Sequence, residues 1–155
     1  MPELLMPPFH EFILLDSNDV PYRKHPQPGQ ELARAQLDDD FIHFILDSLT
    51  WVETINPAGH KLKRTRGLNL YGPSVLDIKS ADLFENILKS WAGLFRLGPA
   101  EISLRVGWQL TKGEAGKPLI ESFHRDSLVA ALDTISSMCE KVKSNKGLYI
   151  LHLGI

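Results

Sequence analysis

The stretch GLNLYGPS, Gly67 to Ser74, places two glycines five positions apart with a serine two further on, close to the phosphate-cradling pattern GxxxxGK[ST]. That pattern needs a lysine to carry charge to the phosphates. Pro73 fills the slot here, and it has neither a cation nor a backbone N–H. The stretch follows a basic arm rather than a buried strand, and a strand rather than a helix is expected directly after Pro73. No helix N-terminus is therefore positioned for phosphate.

The remaining chemistry-bearing residues are dispersed. His10, His25, His43, His60, His124 and His152 stand singly, with no HExxH, no His-x-His and no pair at helical spacing. They give no reason to expect a metal or another cofactor. Serines are plentiful, but no G-x-S-x-G elbow presents one on a strained turn. His124-Arg125-Asp126 sets a base beside an acid, and an N-cap accounts for Asp126 without a catalytic dyad. Asp38, Asp39 and Asp40 read as the start of a helix, where carboxylates complement the dipole, rather than as a metal site. Cys139, the one cysteine, has no partner for an intramolecular disulfide. It falls on the apolar face of an expected helix and so reads as an inert thiol. An enzyme would need a concave site with converging polar groups; Tyr71, Trp108, Glu121, His124 and Arg125 are the candidates, and they form no recognised motif.

The densest charge is the run HKLKRTR, with His60, Lys61, Lys63, Arg64 and Arg66 after the NPAG turn. Strand alternation puts Lys61, Lys63 and Thr65 on one face and Leu62, Arg64 and Arg66 on the other. Two readings stand: charges that protect an exposed sheet edge, and an electrostatic patch for an acidic protein partner.

Three helices must position these groups. LDDDFIHFILDSLTW is capped by Asp38 and buries Phe41, Ile42, Ile45 and Leu49. Ser80 to about Leu97, capped by Ser80 and stopped by Gly98-Pro99, carries the stripe Leu83, Phe84, Ile87, Leu88, Trp91, Leu94 and Phe95. Asp126 to about Lys143 buries Leu128, Leu132, Ile135, Cys139 and Val142. Strand patterns lie in FHEFILL, TWVETI, LNLYG continuing to SVLDI, ISLRVGWQL, LIESF and GLYILHLGI. The NPAGHK turn pairs Trp51–Ile55 with the arm after it, and KGEAGKP joins Ile102–Leu110 to Leu119–Phe123. LYILHLGI is apolar on both parities, as a central strand covered on both faces would be. The fold class expected is α+β: an antiparallel or mixed sheet of about five strands with about three helices mainly on one face.

At 155 residues, 43% hydrophobic and 23% charged, the chain suits one globular domain over 1–155, with 1–36 as an N-terminal strand and extended arm. A net charge of −2 lacks the basic footprint of a nucleic-acid binder. The start, MPELLMPPFHEF, has no basic region followed by a clean apolar run, and no apolar stretch reaches the roughly 18 residues of a membrane span. A soluble protein of the reducing cytoplasm is expected.

The combination of GLNLYGPSVL, LFENILKSWAGLFRLGP, ISLRVGW and YILHLGI, over roughly Trp51 to Ile155, resembles bacterial immunity proteins of polymorphic-toxin systems, including those linked to type VI secretion. The resemblance implies a small non-enzymatic cytoplasmic protein that binds and neutralises a cognate toxin. It carries over no functional residue. A small enzyme with a pocket near Tyr71, Trp108 and His124, or a structural or adaptor subunit using an exposed sheet edge, are the alternatives.

Overall fold

The computed structural model describes residues 8–16, 29–57 and 62–155. In chain order the elements are β1 (Phe9–Asp16), β2 (Ala33–Asp38), α1 (Asp39–Leu49), β3 (Glu53–Asn56), β4 (Lys63–Arg66), β5 (Pro73–Leu76), α2 (Ile78–Arg96), β6 (Glu101–Gln109), β7 (Lys117–His124), α3 (Arg125–Ser144) and β8 (Leu148–Leu153). Six strands form one antiparallel sheet in the order β2-β1-β8-β5-β3-β4, and β6 and β7 form a separate two-stranded ribbon. The α+β class is as expected. The main sheet has one strand more than anticipated because the end of the polar segment, Ala33 to Asp38, pairs with β1 instead of remaining an arm. Residues 17–28 of that segment lie outside the described residues.

Strand alternation divides the sheet into two faces. Phe12, Leu14, Leu37, Leu76 and Ile150 point to the face covered by the helices, where they share a core with Phe41 and Ile45 of α1, Phe84 and Leu88 of α2, and Leu132 and Ile135 of α3. Ile13, Leu15, Ile55, Val75, Tyr149 and Leu151 form a second buried cluster on the opposite face. β8 lies inside the sheet between β1 and β5 and contributes to both clusters, which explains its apolar residues on both parities.

The helix positions follow the apolar periodicity, and their caps differ in part. Asp38 caps α1 by accepting from the Asp40 N–H at 2.8 Å. Asp77, not Ser80, caps α2: its Oδ1 accepts from Lys79 and Ser80 N–H, while the Ser80 hydroxyl returns a contact to the Asp77 backbone N–H. The Asp/Ser pair three residues apart satisfies two orphan donors reciprocally. His124, not Asp126, caps α3, with Nδ1 accepting from the Ser127 N–H at 3.4 Å, and Asp126 sits in the first turn. On α2 the stripe is narrower than expected: Phe84, Ile87, Leu88 and Phe95 are buried, Trp91 is half-buried, and Leu83 and Leu94 are exposed.

Candidate functional site

Leu68–Gly72, expected as strand, instead loops back before β5. Gly67 adopts φ +81°, a conformation that favours glycine, and its N–H reaches the Val52 carbonyl at 2.9 Å. Asn69 Oδ1 accepts from the Tyr71 N–H and its carbonyl from the Gly72 N–H, which closes a tight turn. The helix that follows β5 has its first amides bound by the Asp77 carboxylate. An anion there would have to displace a carboxylate of the chain itself.

The loop delivers Ser74 to β5, and β5 sets it opposite His152 of β8. β8 in turn sets His152 opposite Phe12, beside His10 of β1. The outcome is a buried polar chain on the helix-covered face. Ser74 Oγ lies 3.4 Å from His152 Nδ1, His152 Nε2 lies 2.8 Å from His10 Nδ1, and His10 Nε2 lies 2.8 Å from Asp39 Oδ1 at the start of α1. Ser74 Oγ also accepts from the Asn69 N–H at 2.7 Å. His10 and His152 are fully buried, their rings nearly parallel at 13°, and Phe12 packs against His152 with centroids 5.1 Å apart. Burial, followed by the neighbouring charge of His10, pushes the His152 imidazole down to about 3. His43 of α1, half exposed, stands 3.5 Å from Asp39 at the outer end.

At the inner end, Ser74 contributes to a cleft of about 190 Å³ that Thr54, Asn56, Arg66 and Asn69 also line. Two larger clefts lie elsewhere. One of about 370 Å³, between α1 and α2, is walled by Trp51, Leu83, Ile87 and Trp91. The other, of about 410 Å³, lies between α1 and β6 and is bounded by His43, Phe44, Arg105 and Trp108.

The basic run divides on inspection. His60 and Lys61 lie outside the described residues. Lys63, Arg64 and Arg66 are on β4, an edge strand whose four residues are all exposed. The register keeps the expected alternation, with Lys63 and Thr65 opposite Asn56 and Thr54, and Arg64 and Arg66 opposite Ile55 and Glu53. Arg64 is engaged by Asp77 through both of its terminal nitrogens. Burial would raise the Asp77 carboxyl, but Arg64 outweighs it and, with Ser80, holds the group below its ordinary range. Among the described residues, neither Lys63 nor Arg66 has an ion-pair partner.

Tyr71, Trp108 and His124 are not brought together. Tyr71 is 77% exposed in the turn before β5. His124 is paired with Glu101 at the base of the ribbon and Trp108 with Pro118 further out, roughly 20 Å apart at strand rise. Glu121 is exposed on β7, and Arg125 is held by the Gly98 carbonyl and Asp126.

The ribbon itself was not anticipated as a surface. Ile102 and Phe123 anchor its base in the core, whereas Trp108 (55% exposed), Leu119 and Ile120 along the strands, and Leu110 just past β6, face solvent. A bulge between Arg105 and Gly107 re-aims its outer half.

A second charge cluster, two exposed lysines on a buried carboxylate, joins α2 to α3. Glu85 is 3% exposed, with Lys89 Nζ at 2.5 Å from Oε1 and Lys143 Nζ at 2.5 Å from Oε2. Burial raises its carboxyl, but Lys143 and Lys89 overrule this and depress it. Cys139 is buried beside this cluster, and desolvation, reinforced by the Glu85 charge, pushes its thiol up to about 12.

Among the described residues no group of three or more His, Cys, Asp or Glu side chains is arranged to hold a metal, and no helix is long and apolar enough to cross a membrane. No family model, curated protein or solved structure matches the chain.

Proposed function

We propose that this chain is a non-enzymatic cytoplasmic binding protein, an immunity protein that neutralises a cognate bacterial toxin by occupying it. The reading is supported chiefly by the β6–β7 ribbon. Two antiparallel strands carry Trp108 and Ile120 on one face and Leu119 on the other into solvent, Leu110 is exposed just past β6, and among the described residues no third strand pairs with either edge. An isolated two-stranded ribbon is marginal in water, and exposed aromatic and aliphatic side chains on open strands are what a partner's strand or apolar patch can cover. The cations Lys63 and Arg66 on β4 supply a second, electrostatic element that accelerates encounter with an acidic surface.

Capture of partners from a bacterial culture with the immobilised chain, followed by mass spectrometry, tests the reading. Recovery of one secreted toxin, lost with Trp108→Ala and Ile120→Asp, is the expected result. Turnover of a small metabolite by the pure protein, with no toxin captured, overturns it.

A further inference from the structure

The ladder of the β6–β7 ribbon fixes which backbone groups of β7 face outward. The Arg125 N–H donates to the Ala100 carbonyl at 2.8 Å, one step beyond the Glu101↔His124 partners. Hydrogen-bonded and non-hydrogen-bonded pairs alternate in an antiparallel ladder, so Glu101↔His124, Ser103↔Ser122 and Arg105↔Ile120 are non-hydrogen-bonded. Side chains stand closest in such pairs, and the Ser103 and Ser122 hydroxyls meet at 3.3 Å. The bulge adds its extra residue to β6, so the alternation runs unbroken along β7 to Pro118. Pro118, Ile120 and Ser122 therefore direct their backbone polar groups away from β6. Pro118 has no N–H to direct. Those of Ile120 and Ser122 have no backbone partner among the described residues.

Every residue from Lys117 to Ser122 is exposed. β6, by contrast, has His43 and Phe44 of α1 across a cleft from Arg105 to Trp108. The open edge is thus β7, and its side chains carry a pattern. Lys117, Leu119 and Glu121 share one face, with Pro118 and Ile120 on the other. Neither Lys117 nor Glu121 has an ion-pair partner among the described residues. Four positions apart on a strand, about 13 Å, they do not reach each other. Turned end for end through Leu119, however, Lys-Leu-Glu lies against Glu-Leu-Lys.

We propose that β7 pairs antiparallel with β7 of a second copy of this chain, about a two-fold axis through Leu119. In that register Lys117 of each copy stands opposite Glu121 of the other, Leu119 meets Leu119, and Ile120 stands opposite Pro118. The backbone phase agrees. Ile120 and Pro118 are the outward-directed residues, so each Ile120 N–H reaches a Pro118 carbonyl, and the Ile120 carbonyl is left to water. The Lys–Glu and Leu–Leu pairs fall at non-hydrogen-bonded positions, where side chains interact most closely. A register centred on Ile120 would set Glu121 against Leu119, and one centred on Glu121 would set like charges face to face. The contact is isologous and closes at two copies. It turns two marginal two-stranded ribbons into one four-stranded sheet. Antiparallel pairing also places the core-anchored Phe123 of the two copies about 27 Å apart along the strands, with the two bodies at opposite ends.

This pairing goes beyond toxin binding and does not need it. Lys117, Leu119 and Glu121 lie on the face away from Trp108 and Ile120, so self-association and toxin capture succeed or fail separately. A single-strand contact is small and weak, so the test is sedimentation equilibrium of the full chain at concentrations up to about 1 mM. The average mass should rise from that of one chain toward that of two and no further. Lys117→Glu and Glu121→Lys, both on exposed positions, should each weaken the dimer about tenfold by opposing like charges, and the two together should restore it. Leu119→Cys should oxidise to a disulfide-linked dimer, because Cα atoms of a non-hydrogen-bonded pair are about 4.5 Å apart. Ser122→Cys should not, and Cys139 is buried and takes no part. A chain that stays single across that range, charge reversals whose effects add rather than cancel, or cross-linking through Ser122→Cys in preference to Leu119→Cys each overturns the proposal.

Discussion

The indole N–H of Trp91 donates to the Ser48 hydroxyl at 3.1 Å, and that hydroxyl donates in turn to the Ile45 carbonyl at 2.7 Å, so one polar contact ties α2 to α1. Around it Trp91 stacks on Phe95 with centroids 5.8 Å apart and meets Phe44 edge-on at 5.7 Å. Part of the ring remains open to the apolar cleft it shares with Trp51 and Leu83.

Replacing Trp91 with Ala should therefore destabilise by about 2 to 3 kcal/mol, below the ~3 to 5 kcal/mol of a fully buried aromatic. Ser48→Ala should cost about 1 kcal/mol, the net worth of an ordinary hydrogen bond. Urea unfolding midpoints of the two variants measure both, and an unchanged midpoint for Trp91→Ala would mean that the ring contributes nothing to holding α2 on α1.

The cations of β4 should separate by role. Arg64→Glu sets a carboxylate against Asp77 at the start of α2 and should lower stability by about 1 kcal/mol. Lys63→Glu combined with Arg66→Glu should stay within about 0.5 kcal/mol of the parent and slow association with a captured partner, with a weaker salt dependence. Thermal melts and surface plasmon resonance read the two effects; equal association rates for parent and double variant would reduce these residues to guards of a sheet edge.

His152 makes stability depend on pH. Its folded-state value of about 3 lies below the ordinary 6.5, so the unfolded chain binds a proton that the native chain refuses. The resulting stability is complete above about 6.5 and declines as pH falls toward about 3, by up to ~1.4 kcal/mol per pH unit. The depressed carboxyls Asp77 and Glu85 add to the loss at the acid end, where the unfolded chain begins to protonate them. Denaturation midpoints of parent and His152→Gln should converge as pH is lowered from about 6.5, and parallel curves would contradict the burial argument.

Cys139 should behave as a core atom. With its thiol at about 12 and no exposure, native protein should react with an aromatic disulfide reagent only at the rate of opening, and at full speed in denaturant. Rapid labelling of the native chain would place the thiol at the surface.

The helices were legible because an apolar repeat of three and four survives any tertiary context; all four core residues expected on α1 and all five on α3 are buried. The caps were less so, since Asp77 and Ser80 are both good cap residues and the sequence does not say that they cap one another. The polar chain was illegible for a different reason: His10 and His152 are separated by 142 positions, and only sheet register brings them together. A signal existed, namely a histidine at an inward position of the strand FHEFILL and another as the sole polar side chain of LYILHL. A buried polar side chain implies a partner. The identity of that partner depends on strand order.

The pairing of β1 with β8 has a consequence for synthesis. The two strands are neighbours inside the sheet, yet β1 is translated before every other described element and β8 only after them. Until then β1 has only β2 beside it, the β5-β3-β4 half has no link to it through the sheet, and Ile13, Val75 and Leu14 have no β8 to pack on. A nascent chain stalled at that stage is two unsealed half-sheets with open edges. Closure by β8 joins contacts of very long sequence separation, the kind whose loop-closure entropy slows folding, and a chain halted before residue 148 lacks all of them.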